Sequence, residues 1–258
     1  MWCVAELTAE YIAKMEDVLA VYERPYSATQ PVICLDEKPV GLHADVQPSR
    51  PARPGHVAKR DHEYRRCGTA NIFAVVEPKT GRHFTCVTPD RSGHQFACVV
   101  RRLVLAYPRA ETIHLVMGNL NIHCEKSLTD AFGDGEGRRI WRRLTVHFTP
   151  KHGSWLNQAE IELSLVSRGC LGRRRIDTLP ALRTEIHAWT KRADRARTKI
   201  HWRFTPEGCA AQVRLPNETL YSVKDLVAAI RYGARHGPTF EAPDHPCLAC
   251  RVRRRCGS

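Results

Sequence analysis

The side chains best suited to chemistry in this sequence fall in three short segments. Leu35-Asp36-Glu37 ends the apolar run PVICLDE. Gly118-Asn119, with His123 four residues beyond, follows the apolar run Thr112 to Met117. Ser154-Trp155-Leu156-Asn157-Gln158-Ala159-Glu160 follows the alternating run Leu144 to Phe148. Short apolar runs bounded by acids or turn residues are the pattern of buried strands. Each segment therefore lies just beyond a predicted strand, and their polar residues can meet at one sheet edge. Singly, each residue has a plainer reading. An acid after a strand is usually a solvated loop residue or a helix cap, a lone His123 is more often a hydrogen-bonded core histidine, and Trp155 alone is more often core.

The elements that must position these residues follow from periodicity and punctuation. Val4, Leu7, Tyr11, Met15 and Leu19 recur at helical spacing and predict a helix to about residue 24. A short strand ends at Asp36-Glu37, and the proline-rich stretch 38–69 reads as a long surface loop. Two strand runs, 71–77 and 83–88, are joined by Pro78-Lys79-Thr80-Gly81, a hairpin turn. Ser92 caps a helix to about Tyr107, and a strand follows at 112–117. A helix is expected over 121–132, then a glycine-rich break at Gly133, Gly135 and Gly137. A strand at 144–148 precedes one helix from Ser154 to about Ser167 and another, capped by Thr178, to about Lys191. Three early strands followed by alternating helices and strands indicate an α/β fold, a mixed sheet with helices on both faces.

The chain has 258 residues and a formal net charge of +13. That surplus favours polyanionic partners. The arginines cluster, at Arg65-Arg66, Arg138-Arg139, Arg142-Arg143 and Arg173-Arg174-Arg175, which suits a phosphate backbone, so a nucleic acid is the expected partner. No apolar run is long enough to span a bilayer, and the N-terminus lacks the basic and apolar regions of a signal peptide. A cytoplasmic protein associated with the nucleoid, and no membrane partner, is the expectation. The eleven cysteines are scattered and read mostly as reduced, small apolar residues. Beyond about residue 216 the chain turns Pro-, Gly- and Arg-rich. Cys247, Cys250 and Cys256 with His245 could form a zinc knuckle there, although arbitrary Arg/Cys-rich sequence is the plainer account.

In combination the three segments resemble the catalytic domain of bacterial insertion-sequence DDE transposases related to the mariner superfamily. That family has a strand ending Leu-Asp-Glu, a later strand ending Asp-Asn with a His four residues on, and a helix opening Ser-Trp-Leu-Asn-x-x-Glu. Here these are Leu35-Asp36-Glu37, Gly118-Asn119 with His123, and Ser154 to Glu160. Arg53-Pro54-Gly55, the run Glu63 to Thr69, and Trp202-Arg203-Phe204-Thr205 also fit, so the likeness covers roughly residues 30–210. The resemblance implies a ribonuclease H-like domain over 30–215, flanked by a remnant linker helix at 1–29 and a basic tail at 216–258.

It also implies three carboxylates holding two Mg²⁺ (or Mn²⁺) ions, which stabilise the attacking and leaving oxygens of phosphodiester displacement. Asp36 is the first and Glu160 the third, with Asp36 mid-sheet and Glu160 about two turns into its helix. Asn119, His123, Ser154, Trp155 and Asn157 lie nearby. Where the family has its second Asp this chain has Gly118, which cannot ligate through a side chain. Asn119, next door, should face away. Catalysis is therefore expected to be severely impaired, through decay of a genomic copy, an error in the sequence, or a retained non-catalytic role. The absence of a helix-turn-helix reader before the catalytic domain is read the same way, as truncation. The alternatives are a DNA-binding remnant or regulator of transposition, and a nuclease of the same fold. A homodimer is allowed for.

Overall fold

The computed structural model describes residues 8–200; the Trp202–Thr205 motif and the Pro-, Gly- and Arg-rich tail with its cysteines lie outside them. Helix α1 runs Ala9–Glu23, capped by the Thr8 hydroxyl accepting the Tyr11 N–H. Strands β1 (Val32–Asp45), β2 (Tyr64–Glu77) and β3 (Arg82–Thr88) follow, then α2 (Gly93–Ala106), β4 (Ile113–Met117), α3 (Glu125–Phe132), α4 (Asp134–Trp141) and β5 (Leu144–Phe148). A single 3₁₀ turn (Ser154–Leu156) leads into α5 (Ala159–Val166), which ends in a π-helical turn (Ser167–Leu171), and α6 (Leu179–Ala196) follows. The five strands form one mixed sheet in the order β3-β2-β1-β4-β5. β1, β2 and β3 are an antiparallel meander, and β1, β4 and β5 are parallel.

Alternation along the strands divides the core. Ile33 and Leu35 of β1, with Leu115 and Met117 of β4, face one side and pack against Phe96, Val100 and Leu103 of α2, Leu128 of α3 and Ile140 of α4. Val32, Cys34 and Val116 face the other side and pack under Met15, Val18 and Leu19 of α1 and Leu156. Farther along that second side, Leu42, Ile72 and Ala74 meet Leu163 and Val166 of α5 and Leu182 and Ile186 of α6. Helix α1 is also joined to the far edge of the sheet by polar contacts. Asp17 lies 2.8 Å from Nδ1 of His147, whose Nε2 is 3.0 Å from Nδ1 of His114.

Three expectations are corrected. Strand β1 does not stop at the acids. It continues to Asp45 because β2 pairs with it from Cys34 onward, so both ends of the expected 38–69 loop are a two-stranded ribbon. Pro39 is tolerated there because β4 pairs only with Val32 to Cys34, which leaves that side of β1 open. The glycine-rich break is a turn at Gly133 (φ 82) followed by α4. Gly137 lets α4 approach α3 closely, since a Cβ there would lie 2.6 Å from Thr129 Cα. The helix expected from Ser154 is interrupted at Asn157, for the reason described next. The hairpin turn, α2 with its Ser92 cap, β4, β5 and α6 with its Thr178 cap lie where the sequence puts them.

Candidate active site

Asp36 sits mid-strand on β1, on the sheet face shared with Cys34 and therefore on the side of α1 and α5. The parallel register of β1 with β4 pairs Val32 with His114 and Cys34 with Val116, and two more residues bring Asp36 level with Gly118. Gly118 follows β4 directly, two residues beyond Val116, which faces the side of α1.

Glu160 reaches this point from above, in the first turn of α5 rather than two turns in. Asn157, fully buried, sets its place. The Asn157 amide donates to the Leu35 carbonyl (2.7 Å), and its oxygen accepts the Ala159 N–H (3.1 Å). One side chain therefore caps α5 and fastens it to β1 one residue before Asp36. That double duty requires extended backbone at Asn157 (φ −79, ψ 110), which breaks the expected helix. Tyr22 of α1 supports the same turn, donating to the Leu156 carbonyl (2.8 Å) and accepting the Gln158 N–H (3.4 Å).

The electrostatics fit two acids crowded together. Burial pushes the Asp36 carboxyl up to about 7, and the neighbouring Glu37 and Glu160 carboxylates push the same way. The Glu37 N–H, donated to Asp36 Oδ1 at 2.9 Å, and the His123 ring oppose the rise. Such a site favours either a proton or a cation between the acids. Across the sheet, on the α2 side, His123 Nδ1 contacts the Gly118 carbonyl and Nε2 lies 3.3 Å from Glu37 Oε2, with side chains 0% and 4% exposed. The His123 ring also lies 4.8 Å from that of Phe96. The Glu37–His123 pair thus joins the middle of β1 to the residue that follows β4.

At Gly118 itself a Cβ would meet no heavy atom within 4 Å, and the backbone is outside the left-handed region. Among the described residues no group of three or more His, Cys, Asp or Glu side chains is arranged to hold a metal ion. Asp36 and Glu160 supply two carboxylates that influence one another, and Gly118 supplies no side-chain donor.

The remaining residues singled out in the sequence divide clearly. Asn119 is exposed beside the site, Ser154 is exposed and Trp155 partly buried in the 3₁₀ turn. Of the arginines, Arg143 donates to the Tyr107 and Ala110 carbonyls and Arg174 pairs with Glu185. Arg175 joins Asp45 to the carbonyls of Asp61, His62 and Glu63. Arg138 and Arg139 lie beside Glu125, Asp134 and Glu136, and Arg142 donates to the Arg138 carbonyl. Arg65, Arg66 and Arg173 are exposed and extend their side chains into solvent. Tyr22 is not among the residues that the sequence singles out, and Glu37 appears there only as the neighbour of Asp36. Glu37 carried a signal, an acid beside Asp36, whereas nothing in the sequence connects Tyr22 with a turn 134 residues away.

Residues 31–183 match the DDE superfamily endonuclease family, a span that includes Asp36, Gly118 and Glu160. Among curated proteins none matches the sequence. Among solved structures the chain is similar to the Mos1 mariner paired end complex with Mn, at TM-score 0.50 and 14% identity, over 82% of this chain and 65% of that one. It is similar to the Mos1 strand transfer complex at TM-score 0.52 and 15% identity, over 84% and 66% respectively. It thus spans just under two thirds of those chains. At such identities the likeness establishes the ribonuclease H-like fold of the sheet and its helices.

Proposed function

The chain belongs to the DDE superfamily endonuclease family, and from that premise we propose that it is the catalytic domain of a DNA transposase of bacterial insertion-sequence type, built for strand cleavage and transfer but impaired because glycine occupies its second acidic position. The observation that carries this reading is the placement of Asp36 and Glu160. They come from β1 and α5, more than a hundred residues apart in sequence, and are close enough that Glu160 helps to raise Asp36 to about 7. A solvated loop would not leave the Asp36 carboxyl buried and raised in this way.

In this reading Asp36 and Glu160 are the ligands of Mg²⁺ or Mn²⁺. When bound, such ions stabilise the charge that gathers on the attacking and leaving oxygens of a phosphodiester. Asn157 and Tyr22 hold α5 so that Glu160 stays near Asp36, and the Glu37–His123 pair ties the middle of β1 to the end of β4. The substrate is double-stranded DNA, favoured by the net charge of +13 and by exposed Arg65, Arg66 and Arg173. The Mos1 structures are a paired end complex and a strand transfer complex. By analogy a second copy of the chain is the expected partner on DNA. Among the described residues no helix is long and apolar enough to cross a membrane.

A second reading is favoured by Gly118. A domain that keeps the DNA surface but lacks one metal ligand would bind without cutting and compete with an active transposase. A joining assay separates the readings. A duplex with a free 3′-hydroxyl is incubated with target plasmid, Mn²⁺, and either the chain as it stands or Gly118→Asp. Joined product from Gly118→Asp, lost again with Glu160→Gln, is expected. Hydrolysis without joined product would make the fold a nuclease. DNA binding with no product from either protein would favour the regulator.

A further inference from the structure

The face of β1 that carries Asp36 carries Lys38 one pleat farther on, about 7 Å along the strand. Its ammonium is directed. Lys38 Nζ donates to Ser167 Oγ at 2.7 Å, and the Ser167 hydroxyl in turn donates to the Leu163 carbonyl at 2.6 Å. Ser167 follows α5 directly and lies seven residues, about two turns, beyond Glu160. Asp36 with Glu160, and Lys38 with Ser167, therefore form two successive rungs between the same strand and the same helix.

The second rung holds a cation that no acid among the described residues neutralises. Lys38 is partly buried, and among the described residues no carboxylate forms an ion pair with it. An ammonium has three N–H donors, and among the described residues one of them is taken. Holding a long side chain in one position costs rotamer entropy, and here the tether to Ser167 fixes it one rung from the acids with donors to spare. An anion placed one step along from a group held between Asp36 and Glu160 would meet them. In a nucleic acid strand that anion is the neighbouring phosphate.

We propose that Lys38, positioned by Ser167, binds the DNA backbone phosphate next to the one seated between Asp36 and Glu160. This rests on the reading of the site as one for DNA. The contact sets the register of the strand over the carboxylates. It reads no base, because phosphate contacts position a duplex without specifying it.

The test is binding of the full chain to a fluorescein-labelled duplex, followed by anisotropy over a range of KCl concentrations, for the parent, Lys38→Met, Lys38→Arg, Ser167→Ala and Lys126→Met. One lost phosphate contact should lower the salt slope by about 0.9 and weaken binding about three- to five-fold at moderate salt in Lys38→Met. Lys38→Arg should keep the slope. Ser167→Ala should keep the charge and the slope but bind somewhat more weakly, because the ammonium is no longer held. Lys126, which is exposed and paired with Asp130, serves as the control and should leave both quantities unmoved. Lys38→Gln, which retains a donor for Ser167, replaces Lys38→Met if thermal melting shows the latter to be unfolded. A slope and affinity in Lys38→Met equal to those of Lys126→Met would overturn the assignment while leaving the DNA site intact. Failure of the parent to bind any duplex would instead overturn the reading on which it rests.

Discussion

Replacing Asp36 by Asn should make the metal-free protein more stable at alkaline pH and leave it unchanged in acid. The folded chain holds the Asp36 carboxyl at about 7, against an ordinary value of 3.8, chiefly through burial and secondarily through Glu37 and Glu160. A group whose folded pKa is raised binds its proton more tightly when folded. The fold is therefore best served below about pH 4, where Asp36 is protonated in both states, and loses stability as pH climbs from there through about 7. With about 1.4 kcal/mol per pKa unit, ionised Asp36 destabilises the fold by up to about 4 kcal/mol at pH 8. Asn has nearly the same shape and can still accept the Glu37 N–H, but it carries no charge. The assay is urea denaturation of parent and Asp36→Asn in EDTA across about pH 4 to 8, read as the difference between the two so that other titrating groups cancel. The difference should be near zero in acid and grow in favour of Asn as pH rises. Adding Mg²⁺ at pH 8 should shrink it, because a ligand that binds only the folded parent stabilises it by mass action. A difference that stays flat with pH, or an Asn variant that is less stable at pH 8, would refute the argument that Asp36 lies in a crowded, cation-requiring site.

Tyr22→Phe should lower stability by about 1–3 kcal/mol in urea denaturation, since it leaves the Leu156 carbonyl and the Gln158 N–H buried without their partner. Gly137→Ala should destabilise by about 1–3 kcal/mol, because its Cβ would meet α3 backbone atoms 2.6 Å away. Gly118→Ala should lie within about 0.5 kcal/mol of the parent in the same thermal melts, having open space around it. Charge reversal of Arg65 and Arg66 to Glu should weaken duplex binding and flatten its salt dependence, whereas Arg143→Met should act mainly on folding, because Arg143 is spent on the Tyr107 and Ala110 carbonyls. Gel-shift titrations beside melting curves distinguish the two effects.

Much of the sheet was legible because its strands are short apolar runs bounded by prolines and glycines, and α2 and α6 announce themselves with Ser92 and Thr178 caps. The ribbon formed by the far ends of β1 and β2 was not. Its residues are polar and proline-containing, and they are extended because each strand is paired with the other, a long-range fact that local composition does not carry. The break at Asn157 was hidden for a related reason. Ser154 to Ser167 has ordinary helical content, and only the Leu35 carbonyl, 122 residues away, makes Asn157 turn aside. Around the acids, Asp36, Glu160 and the anomaly at Gly118 could be named from motif order. Their neighbours Glu37, Lys38 and Tyr22 depend on which face of a strand or helix meets which, and that is set by packing.

The central claim is that Gly118 occupies the place of a missing metal ligand in an otherwise assembled three-carboxylate site. Metal-dependent nicking of supercoiled plasmid tests it most directly, with Mg²⁺ or Mn²⁺ and four proteins: the chain as it stands, Gly118→Asp, and Gly118→Asp combined with Glu160→Gln or with Asp36→Asn. The open space and ordinary backbone at Gly118 admit the aspartate without strain. The account predicts little or no nicking by the chain as it stands, nicking by Gly118→Asp, and loss of that activity in both double variants. Robust nicking by the unmodified chain that survives Asp36→Asn would contradict it and move the active site elsewhere.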